Sequence, residues 1–533
     1  MNFHWLSTRR QRTILSASLV LGVTFAISAL LGFFRTRLIY AYFFKCCVGE
    51  LDAYNAAFRL PDLIFKLLVT GALSASFIPV FSSHLNRNRQ EAYRFASAVI
   101  NLLLLTLILL SFLVFVFARP LSSLIAAGFS FDQISLMASL TRILLVSQIF
   151  FLVSNFITGI LHVNQIFIVP SLSPIIYNLF IILAVFTLAP TFGVYGLTFG
   201  ALIGAFFHFA IQLPALKRLK FHYSLFFSTR LVGVREVIRL MIPRTLSLGL
   251  GEIENTITLF FASGLASGSI SLLNLAFQVM YLPSRIFGTT IGQASLPILS
   301  KNIAKNELEK FRITVNRTVI KSLFIALPVA TFILVYRLPL VRLIFGARQF
   351  PWSATLITAR TLAFLTPAIF CQAIIQILVR SFYALHNTKT PLYVSLASLV
   401  ANVSFSYFFI TYTSLGIIGL AISASIGNLI QGLGLSLLFI HKVDGGEWLK
   451  TVRKFIYLIL ACFIMASVSY LSLRFLDLFV FDTSRTVNLI YLCLLSFSLG
   501  LAAYLLTTTR LCPDEFQDYR RYFLKLKHLF SSS

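Results

Sequence analysis

The sequence predicts an all-α polytopic membrane protein of about fourteen transmembrane helices, two parallel six-helix bundles plus two extra C-terminal helices. Three observations lead there. The 533 residues are 58% hydrophobic and only 11% charged, with a mean hydropathy of +0.89, whereas soluble domains carry about 25% charged residues. Apolar runs of about 20 residues follow one another along the chain, each enough helix to cross the hydrocarbon core. The two halves of the chain also echo each other. The runs are continuous and not alternating, which favours helices over a β-barrel.

Taken in order, the spans start near residues 14, 54, 95, 134, 166, 194, 236, 270, 313, 354, 391, 415, 453 and 487. The first follows "STRRQR", which imitates a twin-arginine or secretory signal. Its apolar run from Thr13 to Phe34 is span-length and lacks a small-residue cleavage site, so it reads as an uncleaved helix. No polar stretch between spans is long enough to bury a soluble core. The basic clusters "RRQR" (9–12), "NRNRQEAYR" (86–94), "KRLK" (217–220), "KNIAKNELEKFR" (301–312) and "RRYFLKLK" (520–527) fall in alternate loops, all on the same side. By the positive-inside rule this places both termini in the cytoplasm. The formal charge of +27 therefore orients the chain and meets lipid headgroups, and nucleic acid is not an expected partner.

The repeat has a direction. "FARPLSSLIAAG" (117–128) resembles "YRLPLVRLIFGA" (336–347), and "GVYGLTFGALIG" (193–204) resembles "GIIGLAISASIG" (416–427). "RLPDL…SFIPVFS" (59–82) corresponds to "YLPSR…ASLPILS" (281–300). With six spans per copy, an even number, both copies enter the membrane facing the same way, as in transporters with a site between two bundles. The expected divisions are 1–220, 221–445, two further helices over 446–510 and a basic tail over 511–533.

The second span carries the chemistry. Asp52, Arg59 and Lys66 recur every seven residues, and Asp62 falls between the last two, so all four share one helix face. An Asp or Arg at mid-span costs roughly 2.5–3.5 kcal/mol even on lenient scales, so the stripe should face a wet cavity. Pro61, Gly71 and Pro79 are candidate hinges, and Pro283 with Arg285 occupies the matching place in the second copy. A self-neutralising Arg59–Asp62–Lys66 network holding the bundles together is the competing role. The local sign favours an anion: Arg35, Arg37, Arg59, Lys66 and Arg285 outnumber Asp52 and Asp62, and arginine suits phosphate. Glu252 and Glu254 are the features that would support a cation or drug exporter. The six cysteines and eight histidines show no metal, haem or disulfide-framework spacing, and His208 reads as a packed histidine.

Several stretches resemble the MurJ/MviN lipid II flippases of the multidrug/oligosaccharidyl-lipid/polysaccharide exporter superfamily. They are "ALLGFFRTRLIYAYFF" (29–44), "LDAYNAAFRLPDLIFKLLVTGALSASFIPVFSSHL" (51–85), "FASGLASGSIS" (261–271), "LPSRIFGTTIGQASLPILS" (282–300) and "FYALHNTKTPLYVS" (382–395). The resemblance implies a flippase that moves lipid-linked peptidoglycan precursor from the inner to the outer leaflet of the bacterial cytoplasmic membrane by alternating access, for cell wall synthesis. It implies a cationic cavity for the pyrophosphate headgroup and a groove for the polyprenyl tail at the last two helices. The substrate-binding set it suggests is Arg35, Asp52, Arg59, Lys66, Gln278 and Arg285. Ala29 and Phe65 stand where the family carries arginines, and Phe277 and Gln278 replace an Arg–Asp pair that Arg285 would partly restore. Export of another polyprenyl-linked glycan or ion-coupled drug export is the alternative, and a membrane enzyme is the rival class. Short outward loops without an acid–base constellation argue against catalysis. The expected partners are the lipid-linked pyrophosphate substrate and membrane lipids, with room for contact with the cell-wall synthesis machinery. No cofactor is expected; a coupling ion or the membrane potential is left open, and the chain is taken to act as a monomer.

Overall fold

A computed structural model describes residues 14–73, 77–227, 232–284, 288, 290–346, 350–443, 447–482 and 485–519. Every regular element among them is a helix. Two compact units form, one running to Ser271 and taking in Phe350, the other covering Leu272–Gly346 and the chain from Pro351 onwards. In the first unit lie α1 (Ile14–Phe43), α2 (Val48–Ala57), α3 (Arg59–Phe65), α4 (Ile78–Arg87), α5 (Arg89–Val116), α6 (Ala118–Ile125), α7 (Phe131–Val163), α8 (Ile168–Thr187), α9 (Val194–Ala210) and α10 (Val232–Ser263). The chain passes to the second unit within α11 (Ser269–Pro283). There follow α12 (Thr290–Ala304), α13 (Leu308–Val335), α14 (Arg337–Phe345), α15 (Trp352–Ala384), α16 (Lys389–Tyr412), α17 (Ile417–Lys442), α18 (Glu447–Phe479) and α19 (Thr486–Leu511).

Among the described residues, eleven helices are long and apolar enough to cross a membrane, so the chain is a multi-pass membrane protein. The expected spans near 54, 236 and 270 are not among these eleven, which leaves the count of about fourteen unmet by this measure. The physical reasons differ. The segment near 54 is cut into short pieces. α10 is one unbroken helix of 32 residues but carries Arg235, Glu236, Arg239, Glu252 and Glu254. α11 is apolar but only 15 residues long, ending at Pro283.

Helix starts follow their capping chemistry. The Asn88 side-chain oxygen accepts from the Gln90 N–H at 2.9 Å and opens α5, while Ser130 and Gln133 form a reciprocal capping box that opens α7. The repeat is written into the backbone as well. Phe117, between α5 and α6, has φ −94° and ψ 21°; its counterpart Tyr336, between α13 and α14, has φ −95° and ψ 15°. Gly193 precedes α9 at φ +56° and Gly416 precedes α17 at φ +54°. Gln165 after α7 and His386 after α15 share the left-handed region, at φ 61° and 55°. Such conformations are costly for residues with a Cβ, so their recurrence at aligned positions marks one turn geometry used twice.

Each unit has its own core. In the first, Phe77 is fully buried and packs against Phe81, Phe95 and Phe156 at ring separations of 5.5, 5.8 and 4.9 Å. In the second, buried Phe311, Phe382, Phe439 and Trp448 belong to one cluster, and the Tyr504 hydroxyl donates to the Phe324 carbonyl at 2.7 Å. Small residues let helices approach, as expected where lipid supplies no hydrophobic drive. A Cβ at Gly200 on α9 would collide with Ala184 of α8. Gly200→Leu should therefore cost about 1–3 kcal/mol through overpacking, read as a lowered thermal unfolding midpoint in detergent; an unchanged midpoint would contradict this packing.

Candidate functional site

The charged second segment is built from short pieces. α2 ends at Ala57, Phe58 breaks the run, and α3 passes at Lys66 into a π-helical turn over Lys66–Thr70. Pro61 sits in the first turn of α3, where a missing N–H is tolerated. Pro79 sits in the first turn of α4, and Pro283 is the last residue of α11. Gly71 follows the π turn directly. A Cβ there would collide with the Thr245 hydroxyl, which donates to the Leu67 carbonyl at 2.8 Å. The wide turn thus has a carbonyl that also accepts from α10.

Asp52 is buried and fully engaged. Its carboxylate accepts from the Gly268 N–H at 2.6 Å, the Ser271 N–H at 2.8 Å and the Ser271 hydroxyl at 2.6 Å. These amides open α11, so the carboxylate meets the positive end of that helix. The Tyr40 hydroxyl donates to the Ser271 carbonyl at 2.9 Å, and the Asn55 amide donates to the Ser271 hydroxyl at 3.0 Å. Gly268 holds φ +96°, and a Cβ there would press on Val48 and Phe44. Asp52 therefore positions the start of α11.

Arg59 and Lys66 converge on Glu252 of α10. An Arg59 Nη2 proton goes to Glu252 Oε2 at 2.5 Å and another to the Glu252 carbonyl at 2.6 Å, while Nε–H goes to Thr256 Oγ1 at 2.9 Å. The Lys66 ammonium lies 3.2 Å from Glu252 Oε1. The Arg59 and Glu252 side chains are 13% and 12% exposed, whereas Lys66 is 42% exposed. The carboxylate placed on both cations is thus Glu252. On the sequence alone Glu252, with Glu254, stands as support for a cation or drug exporter. Its cationic partners lie 193 residues away in the case of Arg59, and no local pattern announces such a pair.

Arg35 is half-buried in α1 with its guanidinium 6.0 Å from the Tyr177 ring centre. Its Nε is buried without a hydrogen-bond partner among the described residues. Phe65 fills its place by packing edge-on against Phe151 at 6.2 Å. In the second unit Gln278 is half-buried on α11, and neighbouring Phe277 stacks on Tyr281 at 5.5 Å. Arg285 lies outside the described residues. The structure thus brings Arg59 and Lys66 together around Glu252, gives Asp52 a capping role and leaves the Arg35 Nε without a hydrogen-bond partner among the described residues.

A model of the lipid II flippase MurJ family matches residues 40–489. A probable lipid II flippase MurJ of Bdellovibrio bacteriovorus is 29% identical over 91% of this chain and 92% of its own length. The lipid II flippase MurJ of Burkholderia cenocepacia is 26% identical over 79% and 83%. Among solved structures, a lipid II flippase MurJ in an inward closed conformation aligns with TM-score 0.75 and 26% identity, covering 92% of this chain and 98% of that one. An inward-facing multidrug resistance transporter of the MATE family aligns with TM-score 0.64 at 17% identity, covering 80% and 98%, a likeness of fold alone.

Removing the carboxylate in Asp52→Ala should leave the Gly268 and Ser271 amides unsatisfied at a cost of about 1–3 kcal/mol. Amide exchange over residues 268–271 should accelerate accordingly; unchanged protection there would contradict the capping role.

Proposed function

The chain belongs to the MurJ lipid II flippase family, and from that premise we propose that it carries lipid-linked peptidoglycan precursor from the cytoplasmic to the outer leaflet by alternating access. The observation that carries this reading is the set of cations Arg35, Arg59 and Lys66 in one unit of a multi-pass membrane protein, with the Arg35 Nε without a hydrogen-bond partner among the described residues and Lys66 partly exposed. A sugar-peptide head bearing a pyrophosphate cannot dissolve in hydrocarbon, while its polyprenyl tail can. Cationic donors in a partly dehydrated setting supply what the phosphates lose on leaving water. The substrate crosses chemically unchanged, so positioning and charge compensation are all that the side chains must provide.

The chain sits in the cytoplasmic membrane with both ends inside, a reading supported by the alternation of basic loops. Export of a cationic drug asks for an uncompensated acid. Glu252 does not supply one, being held by Arg59 and Lys66, and this favours the anionic substrate.

In a flippase-depleted bacterium, the chain should restore growth and the appearance of labelled precursor on the outer leaflet. Arg35→Ala and Lys66→Ala should each lower that transport about tenfold or more, the loss of one charge-assisted contact. Lys310→Ala, which removes an exposed side chain paired with Glu307 at the start of its helix, should leave transport intact. Full transport by Arg35→Ala would overturn the assignment.

A further inference from the structure

We propose that Glu252 is a built-in counter-anion that occupies the cationic site of the empty protein and trades places with the substrate's pyrophosphate on Arg59 and Lys66. This rests on the flippase reading above and adds to it a residue that sets when the site is charged. The Glu252 carboxylate spans the two cations, one oxygen on each, as two oxygens of a phosphate would. The Glu252 carboxylate offsets one of the two positive charges, so the resting cluster attracts an anion less strongly than it does once that carboxylate withdraws.

The remaining contacts fit an exchange better than a permanent tie. Arg59 is held by two neutral acceptors besides the carboxylate, the Glu252 carbonyl and the Thr256 hydroxyl. The Thr256 hydroxyl in turn donates to that same carbonyl at 2.7 Å. A rotation of the Glu252 side chain therefore removes the negative charge while the guanidinium keeps its place. Lys66, the more exposed cation, is the open side from which a phosphate would arrive. The π turn that begins at Lys66 is gripped by Thr245 of α10, the helix that carries Glu252, so the two walls of the cluster are coupled along their length. Between cycles the carboxylate spares the cations the cost of standing unpaired in a dehydrated setting.

The test uses the full chain in nanodiscs, with inorganic pyrophosphate titrated by calorimetry and lipid II translocation measured in parallel. Glu252→Gln should bind pyrophosphate about tenfold tighter than the unaltered protein, the gain from removing a competing charge-assisted contact, yet translocate lipid II more slowly because release loses its returning anion. The gain must vanish in the double variant R59Q/E252Q, which locates it at this cluster. Equal or weaker pyrophosphate binding by Glu252→Gln overturns the proposal and makes the pair structural. Should that variant fail to accumulate, Glu252→Asp, too short to span both cations, must tighten binding about threefold, and no tightening there overturns the proposal equally. Lipid II movement by the unaltered protein with unchanged affinity in the variants refutes the exchange alone. Tightened pyrophosphate binding in a chain that moves no lipid II supports the exchange and refutes the flippase reading.

Discussion

An ionised side chain inside a membrane span persists only when it is paired, hydrogen-bonded or in contact with water. That constraint organises the first unit. Asp52 meets it through the opening amides of α11, and Arg59 and Lys66 meet it through Glu252. Arg35 meets it in part, through the face of Tyr177. The first two solutions tie the second segment to α11 and α10, so the residues that make the region charged also fix its geometry. A lipid-facing stripe of the same composition would have no such partners.

The breaks in that segment follow from the same demands. A continuous α-helix satisfies its own backbone and leaves little for others to hold. Within the π turn at Lys66–Thr70 the Leu67 carbonyl accepts from Thr245, and the missing Cβ of Gly71 admits that contact. Wide turns of this type concentrate at functional sites because they aim side chains in ways a regular helix does not. Here the turn starts at the lysine that meets Glu252.

The long apolar helices were legible because length and composition suffice for them: spans expected near 194, 354 and 487 begin at Val194, Trp352 and Thr486. Those near 54 and 236 escaped the measure of a spanning helix for the reason that made them interesting, charge and interruption. The stripe itself was legible from seven-residue spacing, but its partners were not. Gly268 and Ser271 lie 216 and 219 residues from Asp52, and helical periodicity carries no information at that separation. "FASGLASGSIS" was noticed through family likeness; its Gly268 at positive φ and its Ser271 show what physical work those letters do. Counting local charges favoured an anion site but omitted Glu252, because a carboxylate on a distant helix enters the sum only after folding.

In the proposed cycle, the cations of this helical unit receive a pyrophosphate head while its polyprenyl chain stays in lipid. Reconstitution into liposomes loaded with fluorescent lipid II in the inner leaflet tests it most directly, by following the label's exposure to an external quencher. Exposure that rises with protein density and is suppressed by replacing Arg35, Arg59 and Lys66 together is the predicted result. Exposure no faster than in protein-free liposomes, or undiminished in the triple variant, would contradict the account.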